Sequence, residues 1–343
     1  MGQETGASVS KGEYKAVVSS NRQIGTSFYK LRLEFSGAGA VAFGQLRPGQ
    51  FAQLDVSGAA LPPAEKIPQE LADAARREIL LRRPFSFTDV TRHGDKTAGE
   101  ILYCTVGPAT LRMTTLKAGD SLSAIGPLGK EFWTPQGKKT ALLVFGGMGT
   151  APIQHLAKDL ASEERQGNIQ VVAFAGAKTV RELPFEKRMD EISQELGFSI
   201  REFARYGIES MLATDDGSAG FHGLVTDCFV QWLKENHPEP KDTIIYSCGP
   251  EPMMAKVAEI AKGRYIDCQV SMERRMACGI GVCQSCAVEC RIEGSNETAY
   301  KMCCEDGPVF DAKEVVFQTQ INLARPVAAT KSESPKLKIQ NEP

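Results

Sequence analysis

The sequence predicts a multidomain β plus α/β protein: an N-terminal antiparallel β-barrel, a parallel-sheet Rossmann-like domain and a small cysteine-rich domain. Three observations carry this. Short β-rich runs broken by Gly and Pro turns occupy the first third of the chain, as in small barrels. From about Lys138 onward buried strands alternate with helical stretches, the rhythm of βαβ units. Seven of the ten cysteines then fall between Cys268 and Cys304.

In chain order, the barrel strands are read at Tyr14–Ser19, Phe28–Phe35, Gln50–Val56, Arg83–Asp89 and Glu100–Val106. An Ala- and Glu-rich segment, Ser57–Glu78, interrupts them, with helical character over Gln69–Ile79. It is expected to be a solvated insertion; a flap over a cofactor or a partner contact is the alternative. The apolar run Thr140–Phe145 opens the second domain. Helix Ala151–Arg165 follows, then strand Ile169–Ala175, helix Glu182–Leu196, strand Phe198–Phe203 and helix Val225–Glu235. Strand Thr243–Ser247, helix Glu251–Lys262 and strand Tyr265–Ser271 close the series. Residues 1–136, 137–265 and 266–325 are therefore expected as three domains, with 57–78 inserted in the first and 326–343 a disordered tail.

Composition removes several function classes. Forty basic against forty-two acidic residues leave a net charge of −2, without the basic excess of a nucleic-acid binder. No apolar stretch approaches the ~18 residues that span a bilayer. The polar start lacks the apolar core of a secretory signal, and Gly6 stands where myristoylation expects Ser or Thr. These features predict a cytoplasmic protein with no membrane or nucleic-acid partner.

The cysteine cluster carries the most specific chemistry. Cys278, Cys283 and Cys286 are spaced C-x4-C-x2-C, with Cys303 and Cys304 further on, the arrangement of plant-type 2Fe–2S sites. None of the four histidines lies near them, so a metal there must be held by sulfur. Gly279 and Gly281 permit the positive φ and close approach that such a loop requires. Structural zinc is the rival, but zinc sites pair two short knuckles, and here the fourth ligand has no knuckle partner. Spacing leaves Cys303 and Cys304 equivalent; Cys268 and Cys290 read as packed thiols.

Two glycine turns mark the α/β domain. Phe145-Gly-Gly-Met-Gly-Thr-Ala-Pro152 joins a buried strand to a helix, and Cys248-Gly249-Pro250 ends a later strand. Both stand at carboxyl ends of parallel strands, where open α/β sheets bind ligands and backbone amides meet a pyrophosphate. In the barrel, Arg83-Pro84-Phe85-Ser86 offers a bidentate cation for phosphate, a ring face for a flavin and a hydroxyl for a ring nitrogen.

RPFS, GGMGTAP, CGP and C-x4-C-x2-C, in this order, resemble the ferredoxin–NADP reductase superfamily with a C-terminal 2Fe–2S domain. Met272 to Cys283, together with Cys304-Glu-Asp-Gly-Pro-Val-Phe310, is similar to the electron-transfer subunits of class 1B dihydroorotate dehydrogenase. The likeness covers residues 12 to 320 apart from the insertion. It implies FAD on Arg83, Pro84, Phe85 and Ser86, with Leu102, Tyr103, Cys104, Ala109 and Thr110 as a second FAD segment. Here Gly107-Pro108-Ala109-Thr110 departs from the family's Gly-x-Gly-Thr, and Cys104 stands where Arg or Lys is common. The resemblance further implies NAD on Gly146, Gly147, Gly149 and Thr150 and beside Cys248, Gly249 and Pro250. Cys304 becomes the fourth cluster ligand with Cys278, Cys283 and Cys286. Lys178 and Arg181, where an NADP phosphate could sit, read as surface charges. The implied partner is an FMN-containing catalytic subunit in a heterotetramer; the alternative is a reductase subunit of a hydrogenase, sulfur reductase or bifurcating transhydrogenase. An apolar docking face is expected around Ile280 and Val282.

Overall fold

The computed structural model describes residues 11–164, 169–185 and 200–317. Six antiparallel strands close the barrel: β1 (Gly12–Gln23), β2 (Phe28–Phe35), β3 (Phe51–Asp55), β4 (Arg83–His93), β5 (Lys96–Cys104) and β6 (Ser121–Leu128). Their spatial order is β1-β2-β5-β4-β3-β6, with β6 returning to β1. Alternation explains the core: Leu31, Leu33 and Phe35 of β2, Ala52 and Leu54 of β3 and Leu122 and Ala124 of β6 point inward. Short helices α1 (Gly37–Phe43), α2 (Ala72–Ala75) and α3 (Pro108–Met113) connect the strands.

The insertion is less helical than its composition suggests. Two 3-10 turns, at Ala64–Lys66 and Gln69–Leu71, and the single turn of α2 form. The second turn and α2 persist because Leu71 and Ala75 are buried against Leu111 of α3.

The second domain is a parallel sheet of β7 (Thr140–Gly146), β8 (Gln170–Ala177), β9 (Glu209–Thr214), β10 (Phe221–His222), β11 (Thr243–Cys248) and β12 (Asp267–Ser271). Helices α4 (Thr150–Glu164), α5 (Arg201–Ala204), α6 (Val225–Asn236) and α7 (Glu251–Gly263) cover its faces. Buried on both faces, β7 reads as a continuous apolar run. Leu142 and Val144 meet Phe229, Trp232 and Val257 on one side; Leu143 and Phe145 meet Ile153, Leu156 and Leu160 on the other.

Of the strand expected at Phe198–Phe203, the described residues from Ile200 onward are not extended as a strand. Residues 201–204 form α5, and the third strand is β9, further along the chain. Phe203 is held in that helical turn by rings on two sides, Phe145 at 5.4 Å and Phe185 at 6.3 Å between centroids. Most of the expected helix Glu182–Leu196 and the whole tail 326–343 lie outside the described residues.

After β12 the cysteine loop leads into a hairpin, β13 (Ala287–Arg291) and β14 (Thr298–Met302). The chain then returns as β15 (Val309–Asp311), which pairs antiparallel with β12 and completes the order β10-β9-β8-β7-β11-β12-β15. One hydrophobic cluster runs from Phe51 and Leu128 of the barrel through the sheet to Cys286, Val288, Cys303 and Cys304. The three regions share a core rather than meeting across water.

Polar clamps fix the barrel to the sheet. Lys158 of α4 pairs with Asp89 and donates to the Val90 carbonyl at 3.0 Å. Lys30, buried on β2, lies 3.8 Å from Glu100 of β5 and 3.6 Å from Glu202 of α5. Removing one partner of a buried ion group costs about 3–5 kcal/mol. Lys30→Met is accordingly expected to lower unfolding stability by about that amount, read in thermal melts; a melt within experimental error of wild type would mean that the group adds nothing.

Candidate functional site

Two glycines and a set of main-chain donors shape the cysteine loop. Gly279 at φ +72° and Gly281 at φ +84° turn the chain through the left-handed region, aiming main-chain donors inward. The Ile280 and Cys283 amides lie 3.5 and 3.4 Å from Cys278 Sγ, and the Gly281 amide 3.1 Å from Cys304 Sγ. Cys303, one residue earlier, points elsewhere and donates to the Met272 carbonyl at 3.2 Å. Cys268 and Cys290 are buried in the core as expected of packed thiols. Among the described residues no three His, Cys, Asp or Glu side chains converge on one point that would hold a single ion.

The thiols differ electrostatically. Hydrogen bonds from the Ser285 hydroxyl and amide, then from Cys278, hold the exposed Cys283 thiol down to about 6. Burial, followed by contact with Cys286, pushes Cys304 up to about 12. Exposure at this rim is apolar: Ile280 and Val282 are 50% and 76% accessible, as a docking face there requires.

Next to the loop lies a cavity of about 1150 Å³ where the three regions meet. Its barrel wall is Arg83, Pro84, Phe85 and Ser86 of β4, Leu102, Tyr103 and Cys104 of β5, and Ala109 and Thr110 of α3. Its sheet wall is Gly149, Cys248, Gly249 and Pro250; Gly146, Gly147 and Thr150, neighbours of Gly149 in the same turn, are not among the residues that line it. The third wall is the segment from Ser271 to Ala277 that leads into the cysteine loop.

Each side chain has a readable role. Arg83, which lines the cavity, spends Nη1 on the Leu81 and Arg82 carbonyls, 2.6 and 3.1 Å away. Tyr103 turns into the barrel, its hydroxyl 3.1 Å from Asn21, so only its main chain serves the cavity. Thr110 Oγ1 accepts from the Val106 and Gly107 amides at 2.9 and 3.1 Å and sets the shape of the loop. Leu102 packs with Ala151 and Met148, joining the barrel wall to the sheet wall. The two glycine turns are pressed together: a Cβ on Gly149 would collide with the Cys248 carbonyl, and one on Gly249 would lie 2.9 Å from the Gly146 carbonyl. Lys178 and Arg181 are exposed beyond β8.

Sequence reasoning missed part of this wall. Arg77 and Glu78, at the end of the insertion, line the cavity, so the insertion is not merely a solvated loop. Arg275 and Met276 also face it, while Arg274 is held in a bidentate pair by Glu251 at 2.9 and 3.3 Å. Adjacent arginines just before a cysteine loop were the available signal.

Residues 143–259 match a family model described as an oxidoreductase NAD-binding domain. Residues 273–316 match one described as the iron–sulfur cluster binding domain of dihydroorotate dehydrogenase B, which decides against zinc. A solved NADH-dependent reduced ferredoxin–NADP oxidoreductase aligns with TM-score 0.64 at 23% identity, over 88% of this chain and 90% of its own. Fold and matched domains define a nicotinamide-linked oxidoreductase of ferredoxin-reductase type with an iron–sulfur domain. Curated relatives narrow this. Two are named dihydroorotate dehydrogenase B (NAD(+)), electron transfer subunit. The one from Geobacillus thermodenitrificans is 36% identical over 89% of this chain and 99% of its own. The one from Caldanaerobacter subterraneus subsp. tengcongensis is 32% identical over 88% and 98%. The chain belongs to the family of dihydroorotate dehydrogenase B electron-transfer subunits. No described helix is long and apolar enough to cross a membrane.

Proposed function

We propose that this chain relays electrons from an FMN-containing dihydroorotate dehydrogenase subunit through a 2Fe–2S cluster and FAD to NAD, within a cytoplasmic heterotetramer serving pyrimidine biosynthesis. The observation that carries this is the single cavity whose three walls are the RPFS strand, the paired glycine turns and the approach to the cysteine loop. A bound flavin would exchange a hydride with the nicotinamide and electrons singly with the cluster.

The chain's own residues bind and orient. Arg83 offers the FAD diphosphate a charge-assisted grip, Phe85 a ring face and Ser86 a hydroxyl. Leu102, Tyr103, Cys104, Ala109 and Thr110 shape the opposite side. Gly146, Gly147, Gly149, Thr150 and the Cys248–Pro250 turn admit the dinucleotide. Cys278, Cys283, Cys286 and Cys304 hold the cluster; the orientation of Cys304 toward Gly281 supports it over Cys303. Chain segments 1–136, 137–265 and 266–325 serve FAD, NAD and cluster in turn. The exposed Ile280 and Val282 support a partner at that rim. The named relatives favour this partner over a hydrogenase, sulfur reductase or transhydrogenase.

The test is anaerobic co-purification with the native partner, followed by dihydroorotate-dependent reduction of NAD. Activity with FMN on the partner supports the reading. A complex holding FAD and iron–sulfur but inactive with dihydroorotate overturns the substrate. Separately, Arg83→Ala is expected to weaken FAD retention by about 1.5–3 kcal/mol, the worth of a charge-assisted hydrogen bond. Flavin per chain after gel filtration measures it; full flavin content would remove Arg83 from the site.

A further inference from the structure

Gln53 sits on β3, whose Ala52 and Leu54 face the barrel core. By alternation Phe51 and Gln53 face the other way. Phe51 joins the hydrophobic cluster containing Cys286, Cys303 and Cys304, and a register shift against β6 falls between Phe51 and Gln53. Such bulges re-aim side chains. Gln53 is fully buried, and among the described residues neither its amide nitrogen nor its amide oxygen has a hydrogen-bond partner. Burying an amide with neither hydrogen-bonding group satisfied is costly, so a second role is needed to explain it.

Its neighbours supply that role. On one side Gln53 pairs in register with Pro84 of the RPFS strand. On the other, the amide abuts the cysteine loop: a Cβ on Gly279 would collide with Gln53 Nε2 and lie 2.7 Å from Cδ. One polar side chain thus spans the wall between the proposed flavin strand and the proposed cluster loop. Glycine at 279 is what admits it.

We propose that Gln53 is a positioning residue that donates its side-chain amide to a sulfur of the bound iron–sulfur cluster or its thiolates, locking the loop to the flavin strand. The proposal rests on the cluster assignment above. A hydrogen bond to sulfur stabilises the reduced, more negative cluster, so losing it favours the oxidised form.

The experiment is a dye-mediated reductive titration of full-length wild type and Gln53→Leu, followed by EPR, with iron and sulfide measured on both. Gln53→Leu is expected to shift the cluster's one-electron equilibrium about tenfold toward oxidised, equivalent to about 59 mV. It should also lose an exchangeable-proton coupling in ENDOR of the reduced cluster. Full iron and sulfide with an unchanged equilibrium and unchanged couplings overturns the role of Gln53 and leaves the cluster assignment standing. Wild type without iron and sulfide after anaerobic reconstitution overturns both. Should Gln53→Leu fail to fold, Gln53→Met keeps the length and removes the donor. It is expected to shift the equilibrium the same way, and no shift overturns the proposal.

Discussion

Cys283→Ser is expected to abolish dihydroorotate-dependent NAD reduction by the complex while leaving reduction of the bound flavin by NADH intact. The separation follows from the layout. Cys283 lies on the exposed cysteine rim, whereas the walls proposed for flavin and nicotinamide belong to β4, β5 and the two glycine turns. Hydrogen bonds from Ser285 and Cys278 draw its thiol down toward the thiolate, the form that binds iron. Serine offers an oxygen that stays protonated there. Loss of the ligand itself should exceed the about 10–100-fold that removing an outer partner costs. Stopped-flow traces of the two half-reactions check it: retention of full dihydroorotate–NAD activity would exclude Cys283 as a ligand.

Gly149→Ala is expected to damage the other end of the relay. A methyl there would collide with the Cys248 main chain, which cannot swing aside as a flexible side chain would. The two turns must separate or the strands β7 and β11 must shift. Overpacking of this kind costs about 1–3 kcal/mol. The expected outcome is a lower melting temperature together with at least about a tenfold rise in KM for NADH, since about 1.4 kcal/mol is tenfold in affinity. Flavin content should be unchanged, because no Arg83–Ser86 contact is touched. A variant with native KM would place the dinucleotide away from this pair of turns.

Local signals made most of the architecture readable from sequence. The run Thr140–Phe145 and the helix after it carry their own periodicity, and β2 alternates so regularly that its bounds are those of Phe28–Phe35. Strand β6 went unread although Leu122 and Ala124 alternate with serines, because Gly126-Pro127 ends the pattern like a loop. At Phe198–Phe203 apolar residues were present, but tertiary contacts with Phe145 and Phe185 turned their latter part into a helix. The site divides the same way. Cysteine spacing and glycine turns are short-range and visible. What Gln53, Arg77 and Glu78 do arises only when segments far apart in sequence meet, and no local pattern encodes that meeting. Spacing could not separate Cys303 from Cys304; the opposite headings of the two adjacent side chains favour Cys304 as the proposed ligand.

Strand β15 gives the fold an order of completion. All parallel strands are synthesised by Ser271, yet the outer edge of β12 stays uncovered until Val309–Asp311 emerges. The cysteines lie between the two. Until the chain returns from the cysteine loop, β12 therefore presents an open sheet edge, the feature that recruits other strands. Any change that keeps the cysteine segment from folding back also leaves that edge unpaired, so one stretch of backbone ties the shape of the cysteine loop to the closure of the sheet.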